Sequence, residues 1–113
     1  MEKILKQFRR FITFKHNDAI IKKDANIRLQ STVRFAFVDD IIVIASLRDM
    51  NYYLLDETST EFFRAILQCE KKTYENILEF LFLNFEKEAK SEIINDFAKW
   101  CKHMRDINII KVT

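Results

Sequence analysis

Residues 41–63 read IIVIASLRDMNYYLLDETSTEFF, and this stretch decides how the remaining chain is arranged. Residues 41–47 are rich in β-branched side chains, residues 48–51 form a polar break, and residues 52–55 are aromatic and aliphatic again. That succession predicts a β-hairpin. Asp56 is placed to cap a helix by accepting a backbone N–H. Glu57 follows in the positive first turn, and Phe62 and Phe63 begin an apolar face. A tight hairpin leaves the far side of its second strand either paired or open. The open edge is where function is expected.

Upstream, Val33, Phe35 and Phe37 alternate with Arg34 and Ala36, which predicts a half-buried strand over residues 32–38. Asp39 and Asp40 turn it into the hairpin, so three strands form an antiparallel meander. Downstream, three helices are expected. The first covers residues 57–68. The second covers residues 74–85, with Thr73 as its cap. The third covers residues 91–107, with Ile93, Phe97, Trp100, Cys101 and Met104 at helical spacing. Asn108 can adopt the left-handed conformation that ends a helix, and Ile109, Ile110 and Val112 follow as an extended tail. The second helix is apolar nearly all round (Ile77, Leu78, Phe80, Leu81, Phe82, Leu83, Phe85), which predicts burial on more than one side, under an N-terminal helix or a second subunit.

Residues 1–15 supply that N-terminal helix. Ile4, Leu5, Phe8, Phe11 and Ile12 share one face, and Lys3, Lys6, Arg9 and Arg10 the other. Such a helix can pack on its own domain or on a second copy, lie on a membrane, or dock on a partner protein. Residues 16–31 read as a linker that could hold a short strand. The predicted class is therefore α+β: a winged helix-turn-helix-like domain over residues 32–113, a three-stranded antiparallel sheet followed by three helices. A basic arm with an extra N-terminal helix precedes it over residues 1–31.

Composition excludes several functions. The 113 residues, 49% hydrophobic and 32% charged, suit one folded domain, neither disordered nor membrane-spanning. No signal-peptide core opens the chain, so a cytoplasmic location is expected. Gly and Pro are both absent, which rules out glycine-rich phosphate loops and dinucleotide fingerprints and leaves turns to Asn, Asp and Lys. Residues 1–30 hold eight Lys/Arg against three Asp/Glu, a net of +5, and residues 31–113 hold eleven against fourteen, a net of −3. The basic arm could touch what the acidic body would not.

Little in the chain suggests catalysis. His16 and His103 sit in no metal-ligand spacing, and Cys101 and His103, two apart on a helix, point in different directions. Cys69 and Cys101 read as small buried hydrophobes. No enzyme activity and no cofactor are expected. A winged outline has two uses. The third helix could enter a DNA groove, but Glu92, Asp96 and Asp106 offset its basic residues, so nucleic acid is not the expected partner. Alternatively, an extended peptide could add a strand along the edge formed by Asn51, Tyr52, Tyr53, Leu54 and Leu55. Its side chains would then drop into the groove between that edge and the third helix, where Phe97 and Trp100 form an aromatic stripe. The same aromatics could instead be plain core. A structural or adaptor subunit, dimeric or with its edge covered by its own arm, is a further reading.

The run NYYLLDETSTEFFRAIL resembles the strand-to-helix signature of the PqqD-like precursor-recognition domains of ribosomally made, post-translationally modified peptide pathways. Leu55, Asp56, Glu57, Thr58 and Ser59 stand where that family has an aromatic strand ending in Leu-Asn, then Glu-Thr-Ala. Glu70, Lys71, Lys72 and Thr73 are similar to its Asp-Gly-x-x-Thr turn, with the glycine missing and about two residues added. Its last helix reads Asp-x-x-x-Phe-Leu-x-x-Leu-x-x-x-Gly-Leu, and Asp96, Trp100, Cys101, Met104, Asn108 and Ile109 stand at those positions. The resemblance covers residues 32–112. It implies non-catalytic binding of the leader region of a precursor peptide as a strand added beside Asn51, Tyr52, Tyr53, Leu54 and Leu55, with Ile93, Phe97, Trp100, Cys101 and Met104 on the helix side. Delivery to a maturation enzyme follows, either a lasso-type leader peptidase or a radical-SAM maturase.

Overall fold

The structure is a computed structural model that describes residues 21–85 and 90–113. The helix expected over residues 1–15 lies outside the described residues. From residue 21 the order is β1 (Ile27–Leu29), β2 (Val33–Val38), β3 (Ile41–Ser46), β4 (Asn51–Leu54), α1 (Glu57–Gln68), α2 (Tyr74–Asn84), α3 (Lys90–Asp106) and β5 (Ile110–Val112). Strands β2, β3 and β4 form the antiparallel meander, β3 in the middle. A second, two-stranded sheet pairs β1 with β5, Arg28 opposite Lys111. Part of the stretch read as linker is thus a strand, and the C-terminal tail is its partner.

Turns are closed without glycine. Asp39 and Asp40 take φ of 51° and 66°, the left-handed pair that a two-residue hairpin between twisted strands requires. Met50 takes φ 57° at the end of the β3–β4 connection, and Asn108 φ 62° after α3. There the Ile109 N–H donates to the Met104 carbonyl at 2.8 Å and the Asn108 N–H to that of Arg105 at 3.0 Å, with Ile109 and Met104 both buried. This is the two-bond Schellman closure. Asp56 caps α1, accepting from the Ser59 N–H at 2.8 Å, and Thr73 caps α2, accepting from the Asn76 N–H at 3.4 Å.

The C-terminus of α1 is closed differently. The Lys72 ammonium donates to the carbonyls of Ile66, Leu67 and Cys69 at 2.6, 3.2 and 2.7 Å. A lysine near the negative end of a helix satisfies carbonyls that have no intrahelical donor. The side chain thereby holds the α1–α2 corner.

The core lies between the meander and the helices. Phe62 of α1 sits at its centre, with ring centroids 5.2 Å from Phe97 and 5.5 Å from Trp100 of α3, and Tyr74 of α2 stacks on Phe97 at 5.6 Å. Ile42, Ile44 and Tyr53 close it from the sheet side. Along helix α2, Tyr74, Ile77 and Leu81 are buried, Leu78, Phe80 and Phe82 are half-buried, and Leu83 is 73% exposed; the N-terminal helix expected to cover it lies outside the described residues. Its buried face is the one towards α1 and α3. Its other apolar residues have no covering element among the described residues.

Candidate peptide-binding edge

Strand β4 has β3 on one side and, among the described residues, no strand on the other. Its register pairs Ser46 with Asn51, Ala45 with Tyr52, Ile44 with Tyr53 and Val43 with Leu54. The Leu55 N–H donates to the Ile42 carbonyl at 3.1 Å. Because antiparallel pairs alternate between bonded and non-bonded residues, Tyr53 and Asn51 also direct their peptide groups at β3. Tyr52 and Leu54 therefore turn their N–H and C=O to the open side. These two residues offer one donor and one acceptor each to an added strand, spaced for an extended ligand.

Side chains divide the same strand by face. Tyr53 and Leu55 are buried, 7% and 3% exposed, and anchor β4 to the core. Tyr52, 65% exposed, and the half-buried Leu54 lie on the outer face beside Ala45 and Val43. Leu47 and Met50, both exposed, continue that apolar surface at the hairpin tip. Asn51 is exposed at the strand's start.

The five residues of α3 singled out from sequence lie in the core. Ile93, Phe97, Trp100, Cys101 and Met104 are all buried, between 0% and 5% exposed, and pack on α1 and α2. Ile93 also borders a small cavity of about 80 Å³ with Thr58, Phe62, Phe85, Glu92 and Asp96, where the start of α1 faces the first turns of α3. The indole Nε1 of Trp100 is buried with no acceptor among the described residues. Helical spacing identified the stripe but could not tell an inward stripe from a ligand-facing one, since both need the same apolar residues.

Burial pushes the Cys101 thiol well above its ordinary pKa, against a smaller opposing effect of Arg105. Burial raises that of Cys69 too, opposed by Lys72. Neither is a thiolate nucleophile at neutral pH. Tyr74 is pushed up to about 12, chiefly by burial and then by Cys101. His103 is held below its usual value by burial, with Asp106 acting in the opposite sense. Among the described residues no three His, Cys, Asp or Glu are grouped to hold a metal ion, and no helix is long and apolar enough to cross a membrane.

Comparison with known proteins finds matches among solved structures. TbiB1 in complex with the TbiA(beta) leader peptide superposes with a TM-score of 0.65 at 18% identity, over 74% of this chain and 94% of that one. A lasso peptide synthetase B1 complexed with the leader peptide gives 0.63 at 17% identity, over 76% of this chain and 98% of that one. The fold is shared with both. At this identity the likeness is one of architecture. No family model and no curated protein matches the sequence. The α+β architecture is therefore shared with two chains that were solved with leader peptides.

Proposed function

We propose that this chain is a cytoplasmic, non-catalytic recognition element of the PqqD-like, winged helix-turn-helix kind. It binds the leader region of a precursor peptide as a strand added to the open edge of β4, beside α3, and delivers it to a maturation enzyme. The lasso-type leader peptidase is favoured over a radical-SAM maturase as that partner, because both structural matches are complexes of lasso-type or leader-peptide-binding chains. The observation that carries the reading is the outward-facing peptide groups of Tyr52 and Leu54. Main-chain pairing would supply register, and the apolar side chains around Tyr52 and Leu54 would supply selectivity.

The test is a fluorescence-polarisation titration with leader peptides encoded beside the gene, on the parent chain and on Tyr52→Pro. Proline at position 52 removes an N–H that faces the open side, so the β3–β4 ladder is kept and only strand addition is lost. Saturable binding that persists in added salt and falls more than tenfold in Tyr52→Pro is expected, with an unchanged circular-dichroism spectrum. Equal binding by both proteins would sink the edge-pairing mechanism. Binding that vanishes with salt would favour an electrostatic partner instead.

A further inference from the structure

The meander has two faces, and among the described residues only one of them is covered. Inward go Phe35, whose ring centroid lies 5.3 Å from that of Phe63, and the buried Ile42, Ile44 and Tyr53. The period of two turns the intervening residues to the opposite face, where the register arranges them in rows across the strands. Arg34, Ala45 and Tyr52 form the first row, Ala36, Val43 and Leu54 the middle one, and Val38 and Ile41 the last. Arg34 carries the single charge among them. Val38 is 53% exposed, Ile41 38% and Tyr52 65%. A sheet face turned to water ordinarily gives its strands alternating polar residues. Strand β3 has none of these: Ile41 to Ala45 is an unbroken apolar run, the pattern of a strand covered on both sides. A contiguous apolar face of this kind marks a contact surface.

We propose that this face packs against the same face of a second copy, the two sheets stacked with their strands antiparallel. The patch selects this occupant because it is complementary to itself about one two-fold axis, which runs along the middle row. Rotation about that axis lays Ala36, Val43 and Leu54 on their counterparts, and the first row of each copy on the last row of the other. The small Ala45 then meets the large Ile41, which lets the two layers interdigitate. Charge follows the same arrangement. Arg34 stands at one end of β2, held there as its Nη1 donates to the carbonyls of Ser31 and Val33 at 2.9 and 3.0 Å. Asp39 and Asp40, both exposed, stand at the other end. With the strands antiparallel, each Arg34 faces the acidic turn of its partner. With them parallel, both arginines would share one end of the stack and all the aspartates the other. Stacking uses side chains and leaves the outward peptide groups of Tyr52 and Leu54 open, so the inference stands apart from the peptide-binding reading. The patch is at the small end of specific interfaces, and association on the order of ten to a hundred micromolar is expected.

The experiment is sedimentation velocity on the full chain over a dilution series through that range, with circular dichroism as the check on folding. A shift from the 13.6 kDa monomer towards twice that mass is expected. Ala36→Glu sets like charges against each other on the axis, two strands away from the β4 edge. It is expected to weaken association more than tenfold and to leave the leader-peptide titration as in the parent. Arg34→Glu is expected to weaken association severalfold. Combining Arg34→Glu with Asp39→Lys and Asp40→Asn is expected to restore it, since opposite charges again meet across the interface. Within one chain those positions are about 17 Å apart along β2, too far to pair directly, so recovery reports a contact between copies. A monomer throughout the series, or a dimer that Ala36→Glu leaves intact, would overturn the proposal. Loss in Ala36→Glu without weakening by Arg34→Glu, or without recovery in the charge swap, would overturn the antiparallel arrangement.

Discussion

The edge strand β4 and helix α3 were both marked by aromatic side chains, yet the fold uses them in opposite ways. In β4 the period of two sends Tyr53 inward at 7% exposure and Tyr52 outward at 65%. In α3 the apolar stripe is a single face, and all of it goes inward. A strand can serve core and surface with neighbouring residues. A helix whose stripe supports the core must find its ligand contacts on its flanks.

The largest expected effect tests the helix side of that contrast. Trp100→Ala empties a fully buried site against Phe62 and Phe97, and about 3–5 kcal/mol of stability is expected to be lost in urea unfolding. A folded Trp100→Ala with selective loss of peptide binding would break the comparison by making Trp100 a ligand contact. Tyr52→Pro tests the strand side: binding falls more than tenfold while the unfolding midpoint stays close to that of the parent.

His103 sharpens the comparison through pH. Its pKa is lowered in the folded chain, so the unfolded state takes up the proton first as pH falls. The neutral form's contribution is full above the unfolded value near 6.5 and is lost as pH drops towards the folded value. Thermal melts are expected to show a midpoint that declines from pH 7 to pH 5, with a shallower slope in His103→Gln. An unchanged slope would mean that other groups govern this window. The smallest effect lies at the hairpin tip. Met50 is 78% exposed at φ 57°, where a β-carbon is disfavoured, so Met50→Gly is expected to raise stability by about 0.5–1 kcal/mol. If the same change weakens peptide binding, the Met50 side chain belongs to the recognition surface.

Much of this fold was legible because local signals agreed with one another. Asp56, Thr73 and Asn108 mark helix ends by chemistry that acts within a few residues, and the structure places a helix boundary at each. The meander followed from alternation in β2 and from Asp39 and Asp40. The pairing of β1 with β5 was not legible, since Ile27 and Val112 are 85 residues apart and three-residue strands carry no periodicity. Nor was the inward setting of α3, which depends on Phe62 and Tyr74 arriving from other helices.

The Lys72 contacts make the α1–α2 corner depend on an ammonium ion where backbone geometry would ordinarily suffice. One consequence concerns dynamics. An amine engaged with three carbonyls reacts with acylating reagents only while the corner is open, whereas lysines in solvent react at their intrinsic rate. The rate at which Lys72 is modified thus reports how often α1 and α2 part from each other. It makes this residue a built-in clock for local opening at the hinge between the two helices.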